Sequence, residues 1–228
     1  MIKPELVGLD NSALCPVTAG HFLTSATAAA FQRMYQAALS DGINIAIASS
    51  YRSFERQSMI WNRKFRGESS VLDSEGTPIT EWLSLSEQAR IFAILRWSAL
   101  PGASRHHWGT DLDIYAPDLL PEGQKLQLTP DEYDEKHGYF GTLTTWLNEH
   151  MHAFGFFRPY AADNGGVAPE PWHLSYYSEA EQLQQQLTLE MLQEVLIQNP
   201  LEGQTQILQL LPQIREQFIM NICEEDSL

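Results

Sequence analysis

The chain has 228 residues, 43% of them hydrophobic and 11% aromatic, enough for a substantial core and too apolar for a disordered chain. Its 29 acidic and 14 basic residues give a formal net charge of −15, which repels phosphate backbones and argues against nucleic acid as a partner. No run approaches the roughly 18 apolar residues of a membrane helix. The start, MIKPELVGLDNSALCP, has neither a basic region with an apolar core nor a small-residue cleavage site. The expected compartment is therefore the cytoplasm, or the periplasm if an export signal has been trimmed.

Cys15 and Cys223 lie near opposite ends and are expected to be plain thiols. In LTSATAAAFQRMYQAALSDG (23 to 42), Ala30, Phe31, Met34 and Ala38 recur at helical spacing, with Ser25 as candidate N-cap and Gly42 as the stop. INIAIASSYRS (43 to 53) reads as a strand through about Ser49 and then a loop. SFERQSMIWNRKF is a second helix, with Phe54, Met59, Ile60 and Phe65 partly on one face. Residues 66 to 83 are irregular. A third helix is expected over 84 to 100, capped by Ser84 or Ser86 and ended by Pro101 and Gly102. A strand follows at 109 to 116, a surface loop at 117 to 138, a helix from about 140 to 153 ended by Gly155, and a last strand in PWHLSYY. Residues 179 to 198 and 203 to 222 read as two amphipathic helices split at Asn199-Pro200, with the glutamines at 184 to 186 on a solvated face. The polar motifs all fall in residues 1 to 178. Residues 179 to 228 are expected to be a helical extension packed on that domain or on a second copy, which would make a homodimer.

Polar residues concentrate in SSYRSFERQ (49 to 57), SRHHWGTDLD (104 to 113), the loop before residue 170, and EPWH (170 to 173). Alternate residues of a strand share a face, so Gly109, Asp111, Asp113 and Tyr115 point one way and Thr110, Leu112 and Ile114 the other. The apolar set is a core face. Carboxylates on the opposite face, aimed into a concave site, need a cation or hydrogen-bond donors. Histidine nitrogen and carboxylate oxygen are standard zinc ligands, and a catalytic zinc keeps three of them with one position open. Glu170, three residues before His173, suits a base that takes the proton of an attacking water and passes it to a leaving amine. These residues favour a metal-assisted hydrolase, although no HExxH helix fixes two ligands by geometry.

The joint pattern S-x-Y-R-S-x-x-x-Q, S-x-H-x-x-G-x-x-x-D and E-P-W-H resembles the VanY-like zinc D-alanyl-D-alanine carboxypeptidases, part of the wider set of LAS peptidases of cell-wall metabolism. The resemblance covers about residues 43 to 178. It implies an α+β fold, a small antiparallel sheet with packed helices, here followed by the C-terminal helix pair. It implies one zinc per chain held by His106, Asp113 and His173, with Glu170 as general base on a zinc-bound water. It further implies that Arg52 steadies the substrate carbonyl, that Ser104 lies near the substrate's terminal carboxylate, and that Ser49 and Gln57 line or brace the pocket. The implied substrates are peptidoglycan stem peptides or D-Ala-D-Ala.

Two departures stand out. Asp111 replaces the small residue usual in the family, and is expected either to support a ligand histidine or to meet a substrate amine. His107 doubles the histidine position; spacing favours His106 as the ligand, leaving His107 as a rim or solvated imidazole. Trp108 and Trp172 are expected as packing walls, His150 and His152 as helix-surface residues, and His21 and His137 as solvated. Two alternatives remain: an L,D-carboxypeptidase or endopeptidase on the same scaffold, and a zinc-bearing peptide-binding module without turnover. The carboxylate at Glu170 favours an enzyme.

Overall fold

A computed structural model describes residues 2–18 and 20–224. The chain opens on a hairpin without a clear sequence signal, β1 (Cys15–Thr18) and β2 (His21–Leu23). Thr24, not Ser25, caps α1 (Ser25–Ser40), its side chain accepting from the Thr27 N–H. After β3 (Ala46–Ser49), Ser53 caps α2 (Phe54–Phe65). The buried stripe of α2 is Phe54, Gln57, Trp61 and Phe65, and Met59 faces solvent instead of the core. α3 (Glu87–Leu95) starts at the Ser86 cap but ends well short of Leu100. The Arg96 carbonyl accepts from the Ala168 N–H, a long-range bond that takes the place of a further helical one.

β4 (Asp111–Tyr115) also starts late. A short 3-10 turn over Arg105–Trp108 precedes it, and Gly109 stands in the left-handed region at φ +69°, outside the strand. A Cβ on Gly109 would come 2.6 Å from a terminal methyl of Leu14, which would have to shift, and the left-handed conformation itself disfavours a side chain. The segment expected as a surface loop before α4 (Gly141–His150) is partly interior: Tyr133 is buried and donates from its hydroxyl to the Ile114 carbonyl. Buried Glu132 accepts from the N–H groups of Gln127 and Leu128.

The two-residue β5 (Phe156–Phe157) and β6 (His173–Tyr176) complete an antiparallel sheet in the order β3-β4-β6-β5. Asp113 lies opposite His173 on one side and Ser49 on the other, and Asp111 lies opposite Ser175. Leu112, Ile114 and Leu174 face a core shared with Phe31 and Met34 of α1 and Leu143 and Leu147 of α4. The polar residues of β4 and β6 face away from that core.

The C-terminal stretch holds α5 (Tyr177–Gln186), α6 (Leu189–Gln198) and α7 (Gln204–Ile214). The span read as one helix over 179 to 198 is thus two, divided where Thr188 turns the chain and caps α6. Leu192 and Val195 of α6 and Ile207 and Leu211 of α7 share a second apolar core with Phe54 and Trp61 of α2 and Ile91 and Ile94 of α3. Both cysteines are free thiols. Among the described residues no helix is long and apolar enough to cross a membrane.

Leu192 is fully buried in that second core. Leu192→Ala should lower unfolding free energy by about 2–5 kcal/mol, the usual cost of a large-to-small core change. Urea unfolding measures it, and a cost near zero would mean that the C-terminal helices do not share the core of the domain.

Candidate metal centre and active-site cavity

The β4–β6 register sets the centre. His173 begins β6 directly opposite Asp113, and the 3-10 turn before β4 swings His106 over the same spot. His106 Nε2 lies 3.3 Å from Asp113 Oδ2, and His173 Nδ1 lies 3.1 Å from Asp113 Oδ1. The two imidazoles meet edge to face with centroids 4.9 Å apart. One ligand atom from each of the three buried residues falls within 4.8 Å of the others.

The outer nitrogens decide which inner ones are free. His106 Nδ1 is 2.9 Å from the Ser50 carbonyl, an oxygen that only accepts, so Nδ1 carries the proton. Burial lowers the His106 pKa and keeps the ring neutral, which leaves the Nε2 lone pair facing a carboxylate oxygen. Two electron-rich atoms so placed call for a cation between them. On the far side of His173, Nε2 donates to Asp111 Oδ1 at 2.9 Å, so Nδ1 is the atom left for the centre. Burial disfavours the charged form of His173, but its bonds to Asp111 and Asp113 outweigh this and push it up to about 10. A proton then does at this spot what a metal ion would do. For Asp113, burial resists ionisation, but the His106 and His173 imidazoles outweigh it and hold the carboxyl well below its usual range.

Asp111 is itself held. Its Oδ1 accepts from Arg105 Nε at 2.8 Å and its Oδ2 from the Thr110 hydroxyl at 2.6 Å. Arg105 is almost fully buried, donates to Ser175 Oγ at 2.7 Å and to Gln184 Oε1 at 2.6 Å, and lies over the Trp108 ring. A chain of hydrogen bonds therefore runs from α5 through Arg105 and Asp111 to His173. Gln184 is buried in this chain and not on a solvated face. Sequence pattern concealed both residues: a glutamine run on a helix looks solvated, and Arg105 stood between residues of a stronger motif.

The centre opens into a cavity of about 780 Å³ lined by Arg52, Ser104, Tyr160, Glu170 and Trp172, among others. Glu170 Oε2 is 3.5 Å from His173 Nδ1. Burial pushes its carboxyl up to about 7, opposed by His173. Arg52 donates to Gln57 Oε1 at 2.8 Å and to Ser49 Oγ at 3.0 Å. Neither acceptor reaches the cavity wall; both aim the guanidinium. Tyr160, unmarked in the sequence, stands over His173 with ring centroids 5.2 Å apart, and its carbonyl accepts from the Glu170 N–H.

His107 is neither on the rim nor solvated. It is 1% exposed, stacked on Phe54, with Nδ1 2.6 Å from the Arg52 carbonyl and Nε2 accepting from the Gly102 N–H. Burial pushes its pKa down to about 3, so it stays neutral and pins the Arg52 backbone from the core side. Gly8 is required there, since a Cβ would come 2.3 Å from the His107 ring. Trp108 donates to the Leu6 carbonyl and packs in the second core, leaving Trp172 as the cavity wall. His21 is half-buried on β2 with Nδ1 near Ser50 Oγ, and His137 is exposed.

The sequence pattern of VanY, D-alanyl-D-alanine carboxypeptidase, matches residues 20–179. The chain belongs to this family. An uncharacterized protein of Haemophilus influenzae is 43% identical over 123 residues, 53% of this chain and 93% of that one. A D-alanyl-D-alanine carboxypeptidase of Enterococcus faecalis is 31% identical over 148 residues, 64% of this chain and 44% of that protein. Among solved structures, VanYB in complex with D-alanine-D-alanine is similar at a TM-score of 0.52 and 27% identity, over 79% of this chain and 87% of that one. A mutant of the D,D-pentapeptidase VanY in complex with Zn(II) is similar at the same score and identity, over 79% and 88%.

The Arg105–Asp111 pair is buried on both sides. Arg105→Met leaves the buried Asp111 carboxylate with only His173 and Thr110 to hold it and should destabilise by about 3–5 kcal/mol. Adding Asp111→Ala should recover a large part of that loss, because the buried charge goes with it. Additive losses in a double-mutant cycle of urea unfolding would show that the two side chains are not coupled.

Proposed function

We propose that this chain is a zinc-dependent D-alanyl-D-alanine carboxypeptidase or dipeptidase that removes the terminal D-Ala of peptidoglycan-type peptides. The observation that carries the reading is the meeting of His106, Asp113 and His173 with Glu170 and Arg52 in one cavity of a VanY-family chain. The VanY neighbours bound to Zn(II) and to D-alanine-D-alanine support the metal and the substrate class.

The donor set fits zinc. Two imidazole nitrogens with outward partners and one carboxylate make a three-ligand site, and the facing lone pairs of His106 and Asp113 need a cation. His106 Nε2, Asp113 and His173 Nδ1 are the atoms that would hold it. Zinc bound there supplies Lewis acidity, polarising a carbonyl and acidifying water.

The protein's own groups do the rest. Arg52 spends one N–H on Gln57 and one on Ser49, and its remaining donors face the cavity. They stabilise the scissile carbonyl as its oxygen gains negative charge. Glu170, with a pKa raised towards neutrality, takes a proton from the attacking water and returns it to the leaving amine. Tyr160 and Trp172 wall the cavity, and Ser104 lies beside His106 within reach of the substrate's end. Asp111 orients His173 through its Nε2–H, the support that ligand histidines ordinarily need.

Mass spectrometry of the products from D-Ala-D-Ala, a pentapeptide stem and a tetrapeptide stem tests the reaction. Free D-alanine from the first two is expected. Release only from the tetrapeptide would make the enzyme an L,D-carboxypeptidase, and internal cleavage an endopeptidase.

Zinc binding and chemistry should separate by mutation. Zinc at a hundredfold excess over its dissociation constant should stabilise the protein by about 2.7 kcal/mol, read as a rise in melting temperature. His173→Ala should abolish that rise together with activity. Glu170→Gln should keep it while turnover falls by about 10²- to 10⁴-fold. Asp111→Ala should weaken zinc by about 10- to 100-fold without abolishing it. Near-normal turnover of zinc-loaded Glu170→Gln would remove Glu170 as the base.

A further inference from the structure

Lys64 is a cation of the cavity wall that the chemistry above leaves unused. In the last turn of α2, it lines the cavity together with Arg52, Ser98, Ser104 and Glu170. A lysine at a helix C-terminus is ordinarily a solvated partner of the helix dipole. Its neighbour Arg63 fits that description, being exposed, but Lys64 is drawn inward. Its Nζ donates to Ser98 Oγ at 2.6 Å, and burial pushes its pKa down to about 8.

Charge pairing around the cavity is uneven. Arg96 is paired with Asp163, and Arg105 with Asp111. Arg52 and Lys64 have no carboxylate within ion-pair distance among the described residues; Glu170 favours the charge of both from farther off, and Arg52 disfavours that of Lys64. Neither cation is closely paired, so both can meet an anionic group of a ligand in this partly desolvated space. Arg52 already serves the scissile carbonyl. Lys64 keeps two N–H donors beyond the one given to Ser98, and the Ser98 hydroxyl, accepting from Lys64, keeps its own proton to donate. A cation beside a hydroxyl is a fork for the two oxygens of a carboxylate.

We propose that Lys64 and Ser98 bind the free terminal carboxylate of the substrate, and so restrict the enzyme to cleavage at a C-terminus. This rests on the peptidase reading above and deepens it.

The test compares a pentapeptide stem ending in a free D-Ala carboxylate with the same peptide ending in an amide. Wild type should strongly prefer the acid. Lys64→Met should lower kcat/KM on the acid by about 10- to 100-fold, mostly through KM, as loss of a charged hydrogen bond implies. On the amide it should change little. Lys64→Arg, which keeps the charge, should retain the preference, and zinc content and circular dichroism should match wild type. Equal losses on both peptides would make Lys64 merely an electrostatic neighbour of Glu170 and overturn the assignment, as would an unchanged preference in Lys64→Met.

Calorimetry keeps the two readings apart. Zinc-loaded Glu170→Gln protein, with and without Lys64→Met, is titrated with D-Ala-D-Ala and with its C-terminal amide. If wild type cleaves neither peptide, the reaction assignment falls, and the carboxylate site stands only if acid-selective binding is present and vanishes with Lys64. Binding that ignores the carboxylate overturns it.

Discussion

Two carboxylates on the middle strand of a small sheet, both almost fully buried, are the constraint around which this protein is arranged. Buried anions are tolerated only where donors and cations surround them. Asp113 meets two imidazoles, and Asp111 meets a guanidinium, a hydroxyl and an imidazole. Arg105 and His106 come from the turn before β4 and His173 from the start of β6, while Gln184 of α5 braces Arg105 in turn. The register of β4 against β6 is therefore dictated twice, by the apolar face of Leu112, Ile114 and Leu174 and by the polar face opposite.

The same economy shapes the arginine. Arg52 is held at its side chain by Ser49 and Gln57, and at its backbone by His106 and His107, so the turn that carries one ligand also positions the group that faces the substrate. His106 and His107 do different work with the same ring. One turns a free nitrogen towards the centre; the other uses both nitrogens in the core and stays neutral.

Much of this was legible in the sequence because the chemistry is written at short spacing. Gly109 and Asp113, three and seven residues after His106, and Glu170 before His173 point to one site, and the apolar alternation of β4 marks its two faces. What was not legible depended on distant partners. The end of α3 is set by Ala168, which no local pattern announces. His107 looked like a rim residue because nothing in a sequence says that Gly8 leaves room for its ring. Gln184 was hidden in a run of three glutamines of which one turns inward, and nothing in the sequence marks Lys64 as a residue drawn into the cavity. Met59 was misassigned because Trp61, two residues on, claims the buried face of α2.

The Arg105–Asp111 bond has an evolutionary corollary. An arginine at 105 with a small residue at 111 would be a buried cation without its anion, and an aspartate at 111 without the arginine a buried anion held by one imidazole and a hydroxyl. Either single step passes through a less stable chain, so the two positions should change together across descent, with 184 following as the acceptor of the guanidinium's far end. Lineages that keep a small residue at 111 then have no need of a cation at 105, nor of a glutamine on the helix that follows the last strand.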